Sequence, residues 1–397
     1  MVRCGKPKLT QTLVSGIPRH RRLGQMSDIR IPVDLLPLDG RFGCGPSKVH
    51  PNQLDHLVAN AALLGTSHRQ APIKDLVGRV RAHLATLFAI PDGYEVVVGN
   101  GGSTAFWDVA AHSVIERRSA HLSFGEFGHK FVNSASAPWL SPPHVVATEP
   151  GTRGELTAVD DADVYAWPHN ETSTGVMAPV ERVAGASDDA LILVDATSAA
   201  GGIDFNAQNV DIYYFAPQKN FASDGGLWFA LMSPAALERV ERIDKSGRYI
   251  PEFLSLQRAV ENSRLNQTLN TPAITTLLLM EAQLEWMLGL GGLTASADRT
   301  RQSSSALYQF ADSHELLTPF VANSDHRSPV VVTIDVDDRV DAGDITRVMR
   351  EHGVVDIDPY RKLGRNQLRV ATFVGIEPAD VDRLIASLRF VLDELAP

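Results

Sequence analysis

The sequence predicts an α/β chain: a large domain with a mostly parallel sheet between helices, joined to a smaller C-terminal α+β domain. Three observations carry this. At 397 residues the chain exceeds what one ordinary hydrophobic core organises. Short, uniformly apolar segments alternate with helix-like segments through its first three quarters. The pattern then changes near residue 290.

Strand candidates are Glu95–Val98, Val164–Trp167, Leu191–Val194 and Ile212–Phe215. Leu191–Val194 is apolar throughout, which suits a strand covered on both faces, as in parallel sheets. Leu76–Leu87 and Thr104–Ile115 read as helices between strands. Thr271–Leu290 reads as one long helix, with Thr271 as N-cap, Pro272 in the first turn and Gly291-Gly292 as terminator. Beyond it, Val330–Val336, Val354–Ile357 and Gln367–Phe373 read as strands, Asp344–His352 as a helix closed by Gly353, and a last helix starts at Pro378. The expected division is a basic extension over 1–25, a segment packing near the active site over 26–50, a large domain over 51–290 and a small one over 291–397.

Composition narrows the function. Hydrophobic residues at 44% and charged residues at 21% suit a folded globular chain. No apolar run approaches the roughly 20 residues of a membrane helix. A net charge of −10 disfavours nucleic acid as a partner. The first 25 residues depart from this, with Arg3, Lys6, Lys8, Arg19, Arg21 and Arg22 and no acid. A disordered basic arm, an upstream start with Met26 as the true one, and a targeting peptide all compete there, although the apolar stretch of a secretory signal is missing. Two cysteines, Cys4 and Cys44, cannot form a disulfide framework or a thiolate metal site. No metal is expected, and a reducing cytoplasm is the simplest compartment.

Polar clusters at strand ends carry the chemistry, because ligands of open α/β sheets gather beyond the carboxyl ends of the strands. Gly99-Asn100-Gly101-Gly102-Ser103-Thr104 lies between a strand and a helix. Such a loop suits a phosphate, but a tight turn capped by Ser103 or Thr104 fits equally. It is neither a Walker A loop nor GxGxxG. Asp195 ends a buried strand and needs a cation or donors; a protonated pyridine nitrogen is one such partner, a structural ion pair another. Lys219 is one of eight lysines against 29 arginines, and the nearest charges along the chain are Asp211 and Asp224. That setting favours a depressed amine pKa and nucleophilicity, although an exposed loop lysine reads the same way alone. Ser67-His68-Arg69, and Arg361, Arg365 and Arg369, are candidate anion binders, or else a solvated basic face.

From Arg41 onward the order of these clusters resembles phosphoserine aminotransferase, in the class V group of fold-type I pyridoxal 5′-phosphate (PLP) enzymes, and most closely its actinobacterial branch. The stretches that carry the resemblance are Gly43-Cys44-Gly45-Pro46, Gly65-Thr66-Ser67-His68-Arg69, His169-Asn170-Glu171-Thr172, Ala216-Pro217-Gln218-Lys219-Asn220 and Asn270-Thr271-Pro272.

The resemblance implies roles. Lys219 is the lysine that carries PLP, and Asp195 partners the pyridinium nitrogen. Thr172 binds the phenolic oxygen. Gly102, Ser103 and Gln218 hold the phosphate, with Asn270 and Thr271 reaching it across a homodimer interface. Phe127 stands where the family often stacks a Trp on the ring. Cys44, His68, Arg69, Arg361 and Arg369 fall near substrate positions. The implied reaction is ping-pong amino transfer from glutamate to 3-phosphohydroxypyruvate, giving 2-oxoglutarate and phosphoserine for serine biosynthesis; 4-phosphohydroxythreonine, used in making PLP, stays open. Many members have Ser in place of Cys44, and some have an Arg in place of Ser103. Arg365, in a segment two residues longer than theirs, is the suggested substitute. Alternatives are an alanine–glyoxylate type transaminase and a non-catalytic PLP-binding protein. A cysteine desulfurase is disfavoured, since no cysteine follows Cys44.

Overall fold

Uniformly apolar strands pack where both faces are covered, and the larger sheet shows this at its centre. The structure, a computed structural model, describes residues 29–396. The basic stretch 1–25 and the first three residues of the 26–50 segment lie outside the described residues.

Seven strands form the larger sheet: β1 (Glu95–Asn100), β2 (Ser119–Ser123), β3 (His144–Ala147), β4 (Val164–Pro168), β7 (Leu191–Asp195), β8 (Ile212–Phe215) and β9 (Leu227–Met232). Their order is β1-β9-β8-β7-β4-β2-β3. Only β9 runs against the others, pairing antiparallel with β1 and β8. The expected mostly parallel sheet is what forms, and every residue of β4, β7, β8 and β9 is buried. β2 escapes a reading by hydropathy. Its sequence is Ser-Ala-His-Leu-Ser, and buried His121 bonds Ser119 at 2.8 Å within it. The short strands β5 (Asn170–Glu171) and β6 (Val176–Met177) make a separate hairpin.

α1 (Pro51–Ala59) precedes α2 (Ala71–Leu87), which contains the Leu76–Leu87 segment and buries Ile73, Leu76, Val77, Val80, Leu84 and Leu87 as one stripe. α3 (Ser103–Ser113) and α4 (Glu126–Ala135) follow β1 and β2, and α5 (Pro234–Asp244) and α6 (Leu256–Arg264) follow β9. α7 spans Ile274–Leu290, shorter at its start than predicted. Thr271 does not cap it. Asn100 takes the Thr271 carbonyl at 3.1 Å and draws Asn270-Thr271-Pro272 out as an extended strap. Gly291, at φ +118°, ends α7, and α8 (Gly292–Ser313) starts at the next residue. That 22-residue helix, rich in Ser, Thr and Arg, shows no clear apolar stripe in the sequence.

β10 (Leu317–Pro319), β11 (Val331–Val336) and β12 (Gln367–Ala371) form an antiparallel sheet with α9 (Ala342–Glu351) and α10 (Pro378–Leu395). The expected strand over Val354–Ile357 is broken at Asp356, which has φ +64°; what remains is one isolated bridge, Val355 to Arg41, and a bond from the Arg369 amide to the Ile357 carbonyl at 3.0 Å. The partner of Val355 is the N-terminal segment, which no local pattern announces. Val355 donates to the Gly40 carbonyl at 2.8 Å, Ala371 to that of Phe42 at 3.0 Å, and Leu38 to Asp380 Oδ1 at 2.8 Å. Gly40 is required there, because a Cβ would run into the Gly353 carbonyl. This crossing delivers Cys44 and Gly45 to the carboxyl end of the larger sheet.

Candidate active site

β8 ends at Phe215, and Pro217 and Asn220 shape the turn that follows. Asn220 is fully buried and pins that turn from two sides. Its side chain donates to the Ser198 carbonyl at 2.9 Å and accepts from the Val374 amide at 3.2 Å. Lys219 is thereby turned inward, with its Nζ donating to the Cys44 carbonyl. Gly45, at φ +146°, makes room, since a Cβ there would meet the Lys219 amine. Burial pulls the Lys219 amine down to about 8; nearby Arg369 adds to this, and Cys44 and Asp195 oppose it. No carboxylate among the described residues forms an ion pair with Lys219.

Asp195, at the end of β7, is 6% exposed and ringed by donors. Oδ2 accepts from Trp107 Nε1 at 3.1 Å and Tyr214 Oη at 2.9 Å. Oδ1 accepts from the Thr197 amide at 2.9 Å and the Thr197 hydroxyl at 2.5 Å. Four donors on two oxygens suit a carboxylate.

The 169–173 stretch crosses beside Asp195. Asn170 and Thr172 each donate to Ser198 Oγ at 2.8 Å. Arg369 Nη1 donates to the Thr172 carbonyl at 3.1 Å, and its guanidinium lies 5.3 Å from the Tyr360 ring centre. Glu171 is wholly buried and caps α4, accepting the amides of Phe127 and Gly128 at 3.0 Å each. Burial raises its pKa, while Ser173 and the Gly128 amide hold it down. Gly125 is needed here, because a Cβ would strike Glu171. Phe127 is so placed 6.2 Å from the Tyr360 ring.

Gly101, at φ +113°, and Gly102 lead into α3, with Ser103 at its first position. The first amides of a helix lack partners inside it, which suits an anion. Ser103 Oγ sits 2.5 Å from Thr197 Oγ1. Gln218 accepts the Ser47 amide at 2.8 Å through its main chain. His68 meets Thr271 at 3.3 Å; burial and Arg69 lower its pKa. Arg69 holds the strap, donating to the Leu269 carbonyl at 2.9 Å and to Gln267. Asn270 donates its amide to Asn100 Oδ1 at 3.1 Å. Asn270 and Thr271 are exposed.

The structure links Cys44, Thr172, Lys219 and Arg369 through hydrogen bonds, sets Phe127 against Tyr360, the ring beside Arg369, brings Asp195 near enough for its charge to act on Lys219 without a bond, and ties His68, Arg69, Asn270 and Thr271 to the Asn100–Ser103 loop. It separates Arg365 from them. Both prongs of that guanidinium engage Asp335, at 2.6 and 3.0 Å, and it stacks 4.6 Å from the Phe320 ring. This exposed pair with Asp335 would have to open for Arg365 to take the place of the missing Arg. Arg361 is exposed and makes no ion pair among the described residues. Sequence reading missed Trp107, Thr197, Ser198 and Tyr214. Only Tyr214 carried a signal, because a tyrosine within a buried strand must place its hydroxyl on a partner.

Buried polar atoms without partners gather here. Ser47 Oγ, His68 Nε2, Asn170 Oδ1, Gln218 Oε1 and Arg369 Nε are five of ten such atoms among the described residues. Native interiors leave few such groups, so their gathering marks a place built for a polar ligand.

Comparison with known proteins agrees. The model of the aminotransferase class-V family matches residues 50–356. A phosphoserine aminotransferase of a Nocardioides species is 57% identical over 370 residues, 92% of this chain and 99% of that one. One from Rhodococcus opacus is 56% identical, over 92% of this chain and 98% of its own. Among solved structures, a phosphoserine aminotransferase from Cytophaga hutchinsonii superposes with a TM-score of 0.83 at 22% identity, covering 89% of this chain and 99% of that one. A PLP-bound one from Trichomonas vaginalis gives 0.75 at 17% identity, with 88% and 99% covered. The solved structures speak for the fold, the sequence relatives for the family: the chain belongs to the class-V aminotransferases and, within them, to the phosphoserine aminotransferase family.

Proposed function

We propose that this chain transfers the amino group of glutamate to 3-phosphohydroxypyruvate, giving 2-oxoglutarate and phosphoserine, with PLP as cofactor. The observation that carries the reading is the buried Lys219 amine, held near pKa 8 beside Cys44, Asp195 and Arg369. The residues present fit PLP. Asp195, kept as a carboxylate by its donors, supplies the negative charge that suits a cationic ring nitrogen. The first amides of α3 are donors that suit a phosphate, and Gln218 Oε1, an acceptor without a partner, suits a donor such as water beside it. Thr172 suits the phenolic oxygen, and Phe127 the ring face.

When bound, the cofactor supplies an electron sink beside the substrate Cα. The protein does the rest. Lys219 Nζ, neutral in a large fraction of molecules near pH 8, takes the Cα proton of the amino donor. Asp195 keeps a positive charge at the ring nitrogen. Arg369, fixed by Thr172, and Arg361, unpaired among the described residues, bind the carboxylate and phosphate of the substrates. The protein is read as a cytoplasmic homodimer, with exposed Asn270 and Thr271 reaching the partner's phosphate. Residues 51–290 and 291–397 are read as its large and small domains. No described helix is long and apolar enough to cross a membrane.

A spectral titration tests the reading. Visible absorbance of the purified protein is expected to bleach with phosphoserine and to persist with alanine. Bleaching by alanine alone would reverse the substrate assignment.

A further inference from the structure

Thr197 stands between the two ends of the site, and its hydrogen bonds allow only one arrangement of protons. Its hydroxyl lies 2.5 Å from Asp195 Oδ1 and 2.5 Å from Ser103 Oγ. A hydroxyl has one proton to give and lone pairs to receive, and a carboxylate can only accept. With Asp195 ionised, the Thr197 proton must point to Asp195. Ser103 must then supply the proton shared with Thr197. Ser103 is 8% exposed and Thr197 partly buried, so water offers little competition for these bonds.

We propose that Thr197 is a positioning residue that locks Asp195 to the phosphate loop, and that the Ser103 hydroxyl faces inward and serves the phosphate only through its main-chain amide. This rests on the reading of the site as a PLP cradle. It reassigns the side chain of Ser103, a residue placed by resemblance among the phosphate ligands. The relay spans from the first residue of α3 to the loop after β7. The Thr197 amide, at 2.9 Å, holds the same carboxylate oxygen, so the residue grips Asp195 with main chain and side chain together. Trp107 and Tyr214 hold the other oxygen. Loss of the hydroxyl therefore removes one of the two bonds on Oδ1, while the Thr197 amide, Trp107 and Tyr214 keep the carboxylate anchored.

The test uses full-length protein stripped of cofactor and retitrated with PLP and, separately, with pyridoxal, which lacks the phosphate. Binding is read by tryptophan fluorescence and visible absorbance, independent of turnover. For Ser103→Ala the ratio of PLP to pyridoxal affinity should stay within about twofold of wild type, because no side-chain bond to phosphate is lost. For Thr197→Val both affinities should fall by roughly tenfold with their ratio kept, because one charge-assisted bond to Asp195 is removed. Thr197→Ser, which keeps the hydroxyl, should restore both. A Ser103→Ala ratio reduced tenfold would overturn the proton order. Unchanged affinities in Thr197→Val, or failure of Thr197→Ser to restore them, would overturn the positioning role. A wild type that binds neither compound would overturn the cofactor reading, and the relay with it; departures confined to the variants overturn the relay alone.

Discussion

The Tyr214 hydroxyl donates to Asp195 Oδ2 at 2.9 Å, strand to neighbouring strand, with its ring stacked 4.2 Å from that of Phe106. Register sets this pair, since Asp195 and Tyr214 face each other in the β7–β8 ladder. Tyr214→Phe keeps the stack and removes the donor. Oδ2 would retain Trp107 alone, and the loss of a bond to a charged acceptor is expected to cost about 1.5–3 kcal/mol. Urea unfolding of the cofactor-free variant checks this; a change below about 0.5 kcal/mol would count against the bond's importance.

Burial lowers the Lys219 amine from its ordinary 10.5 to about 8, so the folded state binds fewer protons than the unfolded one between those values. Stability of the cofactor-free protein therefore rises with pH across that window, and the penalty is full below about pH 8. Relative to Lys219→Met, the wild type is expected to be less stable at pH 7, with the gap closing on the order of 3 kcal/mol by pH 10.5. Paired urea denaturations from pH 7 to 10 read the slope of the difference. A flat difference would mean that the amine is not desolvated.

Glu171 serves four donors at the start of α4: the amides of Phe127, Gly128 and Ser173 and the Ser173 hydroxyl. Glu171→Ala would orphan them in the interior. The expected destabilisation is about 2–3 kcal/mol, with Glu171→Gln milder because the amide oxygen still accepts. Denaturation midpoints of the two variants rank them, and an equal effect would contradict the capping role.

Arg361 and Arg365 separate functionally. Arg365→Ala breaks an exposed pair with Asp335, worth under about 1 kcal/mol, and should leave the KM for 3-phosphohydroxypyruvate within about twofold. Arg361→Ala should raise that KM by roughly tenfold or more, as expected for removal of a charge-assisted bond to an anion. Steady-state kinetics of both variants decide between them, and a reversed order would restore Arg365 to the site.

The central strands could be read from hydropathy because they are buried on both faces and need no partner to explain them. Leu191–Asp195 and Ile212–Phe215 end where their apolar runs end, and Asp195 and Lys219 were conspicuous as charges at the exits. Trp107, Thr197 and Ser198 were not, because each acts by a hydrogen bond to a residue that is distant in sequence or by a turn with no compositional mark. Val354–Ile357 was misread for the same reason. It bridges the N-terminal crossing through Val355, which bonds Gly40 and Phe42, and meets the smaller sheet by a single bond, from the Arg369 amide to the Ile357 carbonyl.

Local pattern thus predicted the α/β class and the βα alternation, since these follow from hydropathy, and it marked Lys219 and Asp195 as candidates; their roles came from the resemblance of the surrounding stretches to phosphoserine aminotransferase. Only tertiary structure decided which groups meet. It brought Cys44 under Lys219 across 175 positions, committed Arg365 to Asp335 and set Thr197 between Ser103 and Asp195. The physical reason is that a hydrogen bond or ion pair depends on the approach of two groups within a few ångströms, and hydropathy along the chain carries no record of that distance.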